Sequence, residues 1–207
     1  MDVMVVGAGA IGSPLVRGLL WWPHLERIWV ADNDRVERSN LPRQPWYRVA
    51  DIGREKSRAL AEAVGDDRVR PITVAVDHDF TWPPVSLIFD ATDNWPARAA
   101  IQREAWRQQI PWIFASAVRW EGQVALLRPG GPCLECLFGA HPTEGLRCFE
   151  AGVVSTVTLA VAGQALAVAE AWESRGHQWE DRLYLLDGRE GRVWWVRLPP
   201  KECPHGS

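Results

Sequence analysis

The stretch from Val3 to Asp34 most constrains how this chain can fold, because it joins two apolar runs through a glycine-rich turn. The first run leads straight into the residues GAGAIG, and the second run ends on Asp32. This pattern predicts a strand, a tight turn, a helix and a second strand. Glycines let the backbone approach a phosphate, and the following helix offers N–H groups to it. The stretch therefore indicates a nucleotide site in which the Asp32 carboxylate accepts hydrogen bonds from the ribose hydroxyls. It does not distinguish among NAD, FAD and ATP as the nucleotide.

Composition limits the class of protein further. The chain has 207 residues, of which 47% are hydrophobic and 24% charged, enough for one sizeable α/β core. No apolar stretch is long enough to span a bilayer and a core strand starts at once, so we expect no membrane segment, no signal peptide and a cytoplasmic location. A net charge of -3 argues against nucleic acid as the main partner.

A polar loop, DNDRVERSNLPRQ, follows the second strand. Its composition alone would suit a solvated surface loop. However, a loop that leaves the carboxyl end of this strand lies beside the nucleotide crevice of such a fold. Asn40, Arg43 and Gln44 can then point into that crevice.

Lys56 stands in the first turn of the next predicted helix, which opens at Gly53 and continues through Val64. The positive end of a helix dipole is a poor place for a cation unless an anion binds there. A surface lysine is the alternative interpretation. We favour a phosphate contact.

The next two predicted strands are Val69 to Val76 and Val85 to Phe89, and the second runs into Asp90-Ala-Thr-Asp93-Asn94. A helix from Trp95 to about Gln109 follows. Acidic side chains at the carboxyl end of a strand face the crevice, where Asp93 can hold magnesium on a triphosphate. Alternatively, Asp93 or Asn94 caps the helix.

The second half of the chain predicts an extension of the same sheet. A long helix rich in small residues allows another element to come close, as in a core or a dimer interface. The predicted elements are the strands Pro111 to Ser116 and Gln123 to Arg128, the helix from Val153 to about Trp172, and a hairpin of Asp181 to Leu186 and Val193 to Leu198.

Four cysteines are too few and too unevenly spaced for a secreted disulfide scaffold, so a metal site or a reactive thiol is expected. Cys133 and Cys136 form a C-x-x-C motif, which is typical of half a zinc site or a redox pair but also arises by coincidence. Cys203 and His205 near the end of the chain would complete a tetrahedral zinc site. Cys148 is the alternative fourth ligand.

The motifs taken in order resemble the ThiF, MoeB and HesA family, the bacterial relatives of the ubiquitin-activating enzymes. They are GAGAIG, DNDRVERSNLPRQ, DIGREK, DATDN, PCLEC and CFEAGVV, with ECP near the end of the chain. The resemblance covers nearly the whole length, and SNLxRQ, GxxK and DxTDN are far more specific than the glycine turn. It implies a homodimeric protein adenylyltransferase that uses ATP and Mg²⁺ to join AMP to the C-terminal glycine of a small ubiquitin-like sulfur carrier ending in Gly-Gly, with structural Zn²⁺.

The same resemblance implies roles for single residues. Arg43 and Lys56 would supply positive charge to the phosphates, Asp93 would serve the metal and the nucleotide, and Cys148 would attack the acyl-adenylate or take part in sulfur transfer. The other nucleotide-binding candidates are Gly7, Gly9, Ala10, Gly12, Asp32, Asp34, Ser39, Asn40, Gln44 and Asn94.

The fold implied is α/β: a Rossmann-like nucleotide-binding fold with a mixed, mainly parallel sheet extended by antiparallel strands. We expect one adenylation domain over residues 1–207. Residues 1–130 would form the nucleotide-binding core. Residues 131–207 would carry the cysteine motif, a crossover loop, the small-residue helix and the closing hairpin.

Two features depart from the family pattern. Members usually carry an N-terminal segment with an arginine that reaches the neighbouring subunit's ATP site, whereas Met1 and Asp2 lead directly into the first strand. Gly206 stands where the fourth zinc cysteine is usual. These departures keep a non-catalytic nucleotide-binding scaffold as an alternative. An NAD(P)-dependent oxidoreductase is a second alternative, but it leaves SNLPRQ, Lys56 and Asp93 unexplained.

Overall fold

A computed structural model describes residues 1–139, 152–175, 182–198 and 203. The strands within these ranges are β1 (Asp2–Val6), β2 (Arg27–Ala31), β3 (Val69–Ile72), β4 (Leu87–Asp90), β5 (Trp112–Val118), β6 (Glu121–Leu127), β7 (Arg182–Asp187) and β8 (Arg192–Arg197). The helices are α1 (Gly12–Leu19), α2 (Lys56–Val64), α3 (Trp95–Gln108), α4 (Leu134–Phe138) and α5 (Ser155–Arg175). Cys148 and His205 lie outside the described residues.

All eight strands belong to one sheet, in the order β3-β2-β1-β4-β5-β6-β7-β8. The pairs from β3 through β5 are parallel. The pairs from β5 through β8 are antiparallel. The predicted mixed, mainly parallel sheet with an antiparallel extension is therefore confirmed.

Helices cover both faces of the sheet, which explains why its central strands are apolar throughout. In β1, Val3 and Val5 face α1, α2 and α5, whereas Met4 and Val6 face α3 and α4. All four of these side chains are buried. Because β1, β2 and β4 are parallel neighbours, their carboxyl ends lie together at the same end of the sheet.

The small residues of α5 divide between two environments. Ala162 and Ala165 are buried, and α5 packs so closely on β6 that a Cβ added to Gly122 would lie 2.4 Å from Val161 Cγ2. Ala160 and Gly163, in contrast, lie on the exposed face. The prediction of close approach in the core is confirmed, and an apolar outer stripe remains on this helix.

Several parts of the predicted secondary structure were wrong. The helix expected to open at Gly53 begins at Lys56, and β5 and β6 each extend two residues further toward their shared turn than predicted. β3 ends at Ile72 rather than Val76. Its last residue pair with β2 is Ile72 with Ala31, and Asp32 N, just beyond β2, donates the last hydrogen bond to the Ile72 carbonyl oxygen at 3.1 Å. β4 begins two residues later than predicted, at Leu87. The short helix α4, which follows Cys133 directly and contains Cys136, was not anticipated. Within the described ranges, no helix combines the length and the apolarity needed to cross a membrane.

Candidate functional site

An open cleft of about 810 Å³ lies at the carboxyl ends of β1, β2 and β4. The chain continues from β1 to β2 on one side and reaches β4 on the other, so the cleft stands where ligands bind in open α/β sheets. Twelve of the residues proposed from the sequence line it: Gly7, Gly9, Ala10, Asp32, Asp34, Ser39, Asn40, Arg43, Gln44, Lys56, Asp93 and Asn94. The two cations and the acid on which the sequence interpretation depends therefore share one cleft.

The glycine turn forms the floor of the cleft. Gly7 has φ +96°, and a Cβ added there would lie 2.6 Å from the Ala91 carbonyl oxygen, so no other residue fits without strain. Gly12 lies beneath the turn, where an added Cβ would be 1.8 Å from the Gly7 carbonyl oxygen. Among the described residues Gly12 is thus placed behind the lining of the cleft, and the close packing of α1 on β1 accounts for its glycine.

Asp32 joins the glycine turn to the end of β2. One carboxylate oxygen accepts a hydrogen bond from Ala8 N at 2.7 Å, and the other accepts from Asp34 N at 2.7 Å. Burial raises the pKa of Asp32, while the charge of Lys56 and these two bonds act in the opposite direction. Each oxygen retains a lone pair, so the oriented carboxylate can still accept hydrogen bonds from ribose hydroxyls.

Lys56 is the buried cation of the site. Its side chain is only 8% exposed, and its Nζ lies 2.8 Å from Asp34 Oδ2, whose own side chain is 64% exposed. Arg43, on the neighbouring loop, donates from Nη1 to the Ser39 carbonyl oxygen at 2.7 Å. Both cations are therefore held by partners at the wall of the cleft.

Buried amides support the loop that carries Arg43. Asn40 Oδ1 accepts a hydrogen bond from Glu37 N at 3.0 Å, which fixes the short helical turn at the start of the SNLPRQ motif. Gln44 is 4% exposed, and its Oε1 is buried with no hydrogen-bond partner among the described residues. Gln44 also lines the cleft, so its side chain lies at the boundary between the buried loop and the site.

Tyr47 is a supporting residue that sequence reasoning missed. Its buried hydroxyl donates to the Ala8 carbonyl oxygen at 2.6 Å and lies 3.2 Å from the Lys56 carbonyl oxygen. Burial and the nearby Asp32 carboxylate raise the pKa of Tyr47, so the hydroxyl keeps its proton. Tyr47 thus connects the glycine turn to the start of α2. This is a long-range contact that a local sequence motif cannot predict.

The loop after β4 presents Asp93 to the cleft. Asn94 Oδ1 accepts from Ala97 N at 3.0 Å and caps α3, which confirms one of the two roles considered for this residue. Asp90 is fully buried, and burial raises its pKa while the charge of Arg98 lowers it. Asp93, by contrast, is exposed and has no hydrogen-bond partner among the described residues.

The charge of the cleft is mixed. Five carboxylate side chains line it, those of Asp32, Asp34, Glu37, Asp77 and Asp93. Three cationic side chains line it, those of Arg35, Arg43 and Lys56. The excess of acids means that a polyphosphate would fit best together with a divalent cation.

Three cysteines meet at a second position, on the α3 and α4 side of the sheet. Cys136 Sγ lies 3.6 Å from Cys133 Sγ and 3.7 Å from Cys203 Sγ. A disulfide would need about 2.05 Å, whereas Zn–S bonds of about 2.3 Å in a tetrahedron place sulfur atoms about 3.8 Å apart. Burial raises the pKa of the Cys133 thiol to about 12, and a coordinated cation would offset that effect. The three thiols therefore fit zinc.

The fold and cleft define a Rossmann-like nucleotide-binding protein. The ThiF family model matches residues 1–205, and the chain belongs to the ThiF family. It is 34% identical over 226 residues to the sulfur carrier protein adenylyltransferase of Thermus thermophilus, covering 98% of this chain and 81% of that protein. It is 30% identical over 212 residues to the adenylyltransferase and sulfurtransferase MOCS3 of Caenorhabditis briggsae, covering 97% of this chain.

The chain spans 52% of that nematode protein, about half of its length. Among solved structures, the microcin C7 biosynthetic enzyme MccB in complex with N-formylated MccA superposes with a TM-score of 0.82. It shares 18% sequence identity, and the match covers 100% of this chain and 66% of MccB. At that identity the superposition shows a common fold.

The supporting role of Tyr47 can be tested by removing its hydroxyl. Tyr47→Phe removes the single O–H donor shared by the Ala8 and Lys56 carbonyl oxygens, and it should lower the free energy of unfolding by about 1–3 kcal/mol in urea titrations. Tyr184 is the chain's other tyrosine, also buried, and its hydroxyl has no hydrogen bond within the described ranges, so Tyr184→Phe should cost clearly less. Equal losses for the two variants would contradict the role given to Tyr47.

Proposed function

We propose that this protein is an ATP-dependent adenylyltransferase that activates the C-terminal glycine of a small ubiquitin-like sulfur carrier. The observation that supports this most strongly is the common cleft of Arg43, Lys56 and Asp93 beside the glycine turn. Similarity to a protein named sulfur carrier protein adenylyltransferase supports it independently. An NAD(P)-dependent oxidoreductase would give no reason for two cations and an acid at this position.

In the proposed reaction, the carrier's terminal carboxylate attacks the α-phosphorus of ATP. An acyl-adenylate forms and pyrophosphate leaves. Both reactants are anions, so the protein's contribution is charge neutralisation and in-line positioning. Lys56 and Arg43 supply the positive charge at the phosphates, while Asp32 holds the ribose and the glycine turn admits the phosphate chain close to the backbone.

Magnesium fits the acidic side of the cleft. Asp93 offers an exposed carboxylate, and oxygen donors are the ligands that Mg²⁺ prefers. A bound Mg²⁺ would neutralise phosphate charge and stabilise the leaving pyrophosphate. Asp93 would hold it at the cleft mouth, with Asn94 keeping the start of α3 in place beneath.

The proposed partner is a carrier ending in Gly-Gly, as the family resemblance implies, because a tail without side chains can bring its carboxylate close to the phosphates. Cys148 is proposed as an acceptor in a later step. Its thiolate would attack the acyl carbon of the acyl-adenylate, form a thioester and release AMP. A cytoplasmic location follows from the use of ATP.

A homodimer is proposed from the family resemblance. The exposed stripe of α5, with Leu159, Ala160, Gly163 and Ala167, is an apolar surface on which a second copy can pack. Sedimentation equilibrium measures the assembled mass directly, and a monomer at micromolar concentration would contradict this. We also propose one adenylation domain over residues 1–207, because strands from both sides of position 130 share one sheet.

The proposed activity predicts Mg²⁺-dependent exchange of pyrophosphate into ATP in the presence of a suitable carrier. A panel of small carriers ending in Gly-Gly, each paired with a form that lacks both glycines, identifies the substrate. We expect the exchange rate to fall by about 100-fold or more in each of Arg43→Ala, Lys56→Ala and Asp93→Asn. The first two remove a positive charge at the phosphates, and the third removes the carboxylate proposed to hold Mg²⁺.

Arg38→Ala is the matched control for Arg43→Ala, since Arg38 is exposed on the same loop and does not line the cleft. It should keep the wild-type rate. Saturable binding of MgATP without pyrophosphate exchange for any carrier would instead indicate that the protein is a non-catalytic nucleotide-binding scaffold. Exchange that survives in all three cleft variants would contradict the assignment of the site.

Zinc is proposed as a structural ion held by Cys133, Cys136 and Cys203, with His205 as the fourth ligand. Elemental analysis should find about one zinc per chain, and Cys136→Ser or Cys203→Ser should lose the metal and lower the melting temperature. Cys148→Ser should keep the zinc and the exchange activity while removing any thioester-linked carrier on non-reducing gels. Full zinc content in Cys136→Ser would contradict the site.

A further inference from the structure

The loop between β4 and α3 is held from beneath by a partly buried arginine. Arg98 donates from Nη2 to the Thr92 carbonyl oxygen at 2.8 Å, and the same nitrogen lies 3.4 Å from Ser116 Oγ. Its Cζ stands 4.9 Å over the ring of Phe114, and its side chain is only 13% exposed. The guanidinium is thus clamped between an aromatic face and the loop, with little freedom to move.

Asp90 completes this support from the other side. Its Oδ1 accepts from Thr92 N at 3.0 Å and from Thr92 Oγ1 at 2.7 Å. Its Oδ2 lies 3.7 Å from Arg98 Nε, an ionic contact rather than a hydrogen bond. All three polar atoms of Thr92 are therefore engaged, and the peptide unit that precedes Asp93 has a fixed orientation.

Asp93 lies between two anchored residues. Thr92 is fixed by Asp90 and Arg98, and Asn94 is fixed by its bond to Ala97 N. Within the described ranges the Asp93 carboxylate has no hydrogen bond of its own, and it lines the cleft. Rigid neighbours and an unengaged carboxylate are what a preorganised site requires.

We propose that Arg98 is a positioning residue for adenylation, which acts through Thr92 and Asp90 to hold Asp93 at the mouth of the cleft. Arg98 does not belong to the residues that line the cleft, and the donor nitrogen nearest the loop is already bound to Thr92. It therefore acts on the loop rather than on the nucleotide. This inference rests on the proposed adenylation, in which Asp93 serves the metal and the phosphates.

The test requires a variant that removes the support and still folds. Arg98→Met alone leaves Asp90 as a buried charge without its partner, so we combine it with Asp90→Asn. The amide oxygen introduced by Asp90→Asn can still accept a hydrogen bond from Thr92. The double variant loses the contacts of the guanidinium, which are the charge pair with Asp90, the bond to the Thr92 carbonyl oxygen and the contacts with Ser116 Oγ and the Phe114 ring. Arg103→Met is the matched control, since Arg103 lies on the same helix and is exposed.

Hydrogen–deuterium exchange of the peptide covering residues 90–97 tests the loop without nucleotide or carrier. The double variant should exchange at least about tenfold faster than wild type in this peptide, and Arg103→Met should not. Unchanged protection would overturn the proposal. This readout holds whether or not the proposed activity is found, so failure of the function and failure of the inference can be told apart.

Pyrophosphate exchange then shows whether Arg98 acts through Asp93. The double variant should lose about 10- to 100-fold in rate, and Arg98→Lys, which keeps a charge and a donor, should recover most of it. Added to Asp93→Asn, the double variant should cause little further loss, because the residue being positioned is already disabled. Losses that multiply would mean that Arg98 acts independently of Asp93, and would overturn the proposal.

Discussion

The cleft depends on the peptide units around Ala8, which are fixed from two directions. The Ala8 N–H group donates to the Asp32 carboxylate at 2.7 Å, and the Ala8 carbonyl oxygen accepts from the Tyr47 hydroxyl at 2.6 Å. The first bond ties the glycine turn to the end of β2, and the second ties it to the start of α2 through the neighbouring Lys56 carbonyl. The floor of the cleft and the position of its buried lysine are therefore set together.

Charge gives this rigid cleft its chemistry. Lys56 is buried yet paired with the exposed Asp34, so its cation is already oriented before any ligand arrives. Arg43 is oriented by its own loop, and Asp93 is presented between two anchored residues. Lys56 and Arg43 are thus held by partners in the wall of the cleft, and Asp93 is positioned by the contacts of its two neighbours in the chain. Such preorganisation is what stabilises a transition state whose cost is mainly electrostatic.

Local sequence was sufficient for much of this architecture. The glycine turn, the acid at the end of β2 and the cation in the first turn of α2 are each visible in a short window, because turns and helix ends have strong residue preferences. Tyr47, in contrast, bonds to a residue 39 positions earlier, and β3 stops where its partner strand stops. Gly12 and Arg98 likewise owe their roles to contacts across the fold, which periodicity and motif spacing do not reveal.

The proposed ligand of this cleft is a triphosphate with a divalent cation. Isothermal titration of the purified protein with MgATP and with NAD, each alone and in competition, tests this proposal most directly. We expect saturable binding of MgATP that weakens when Mg²⁺ is removed, with no displacement by NAD. Tighter binding of NAD than of MgATP would contradict it.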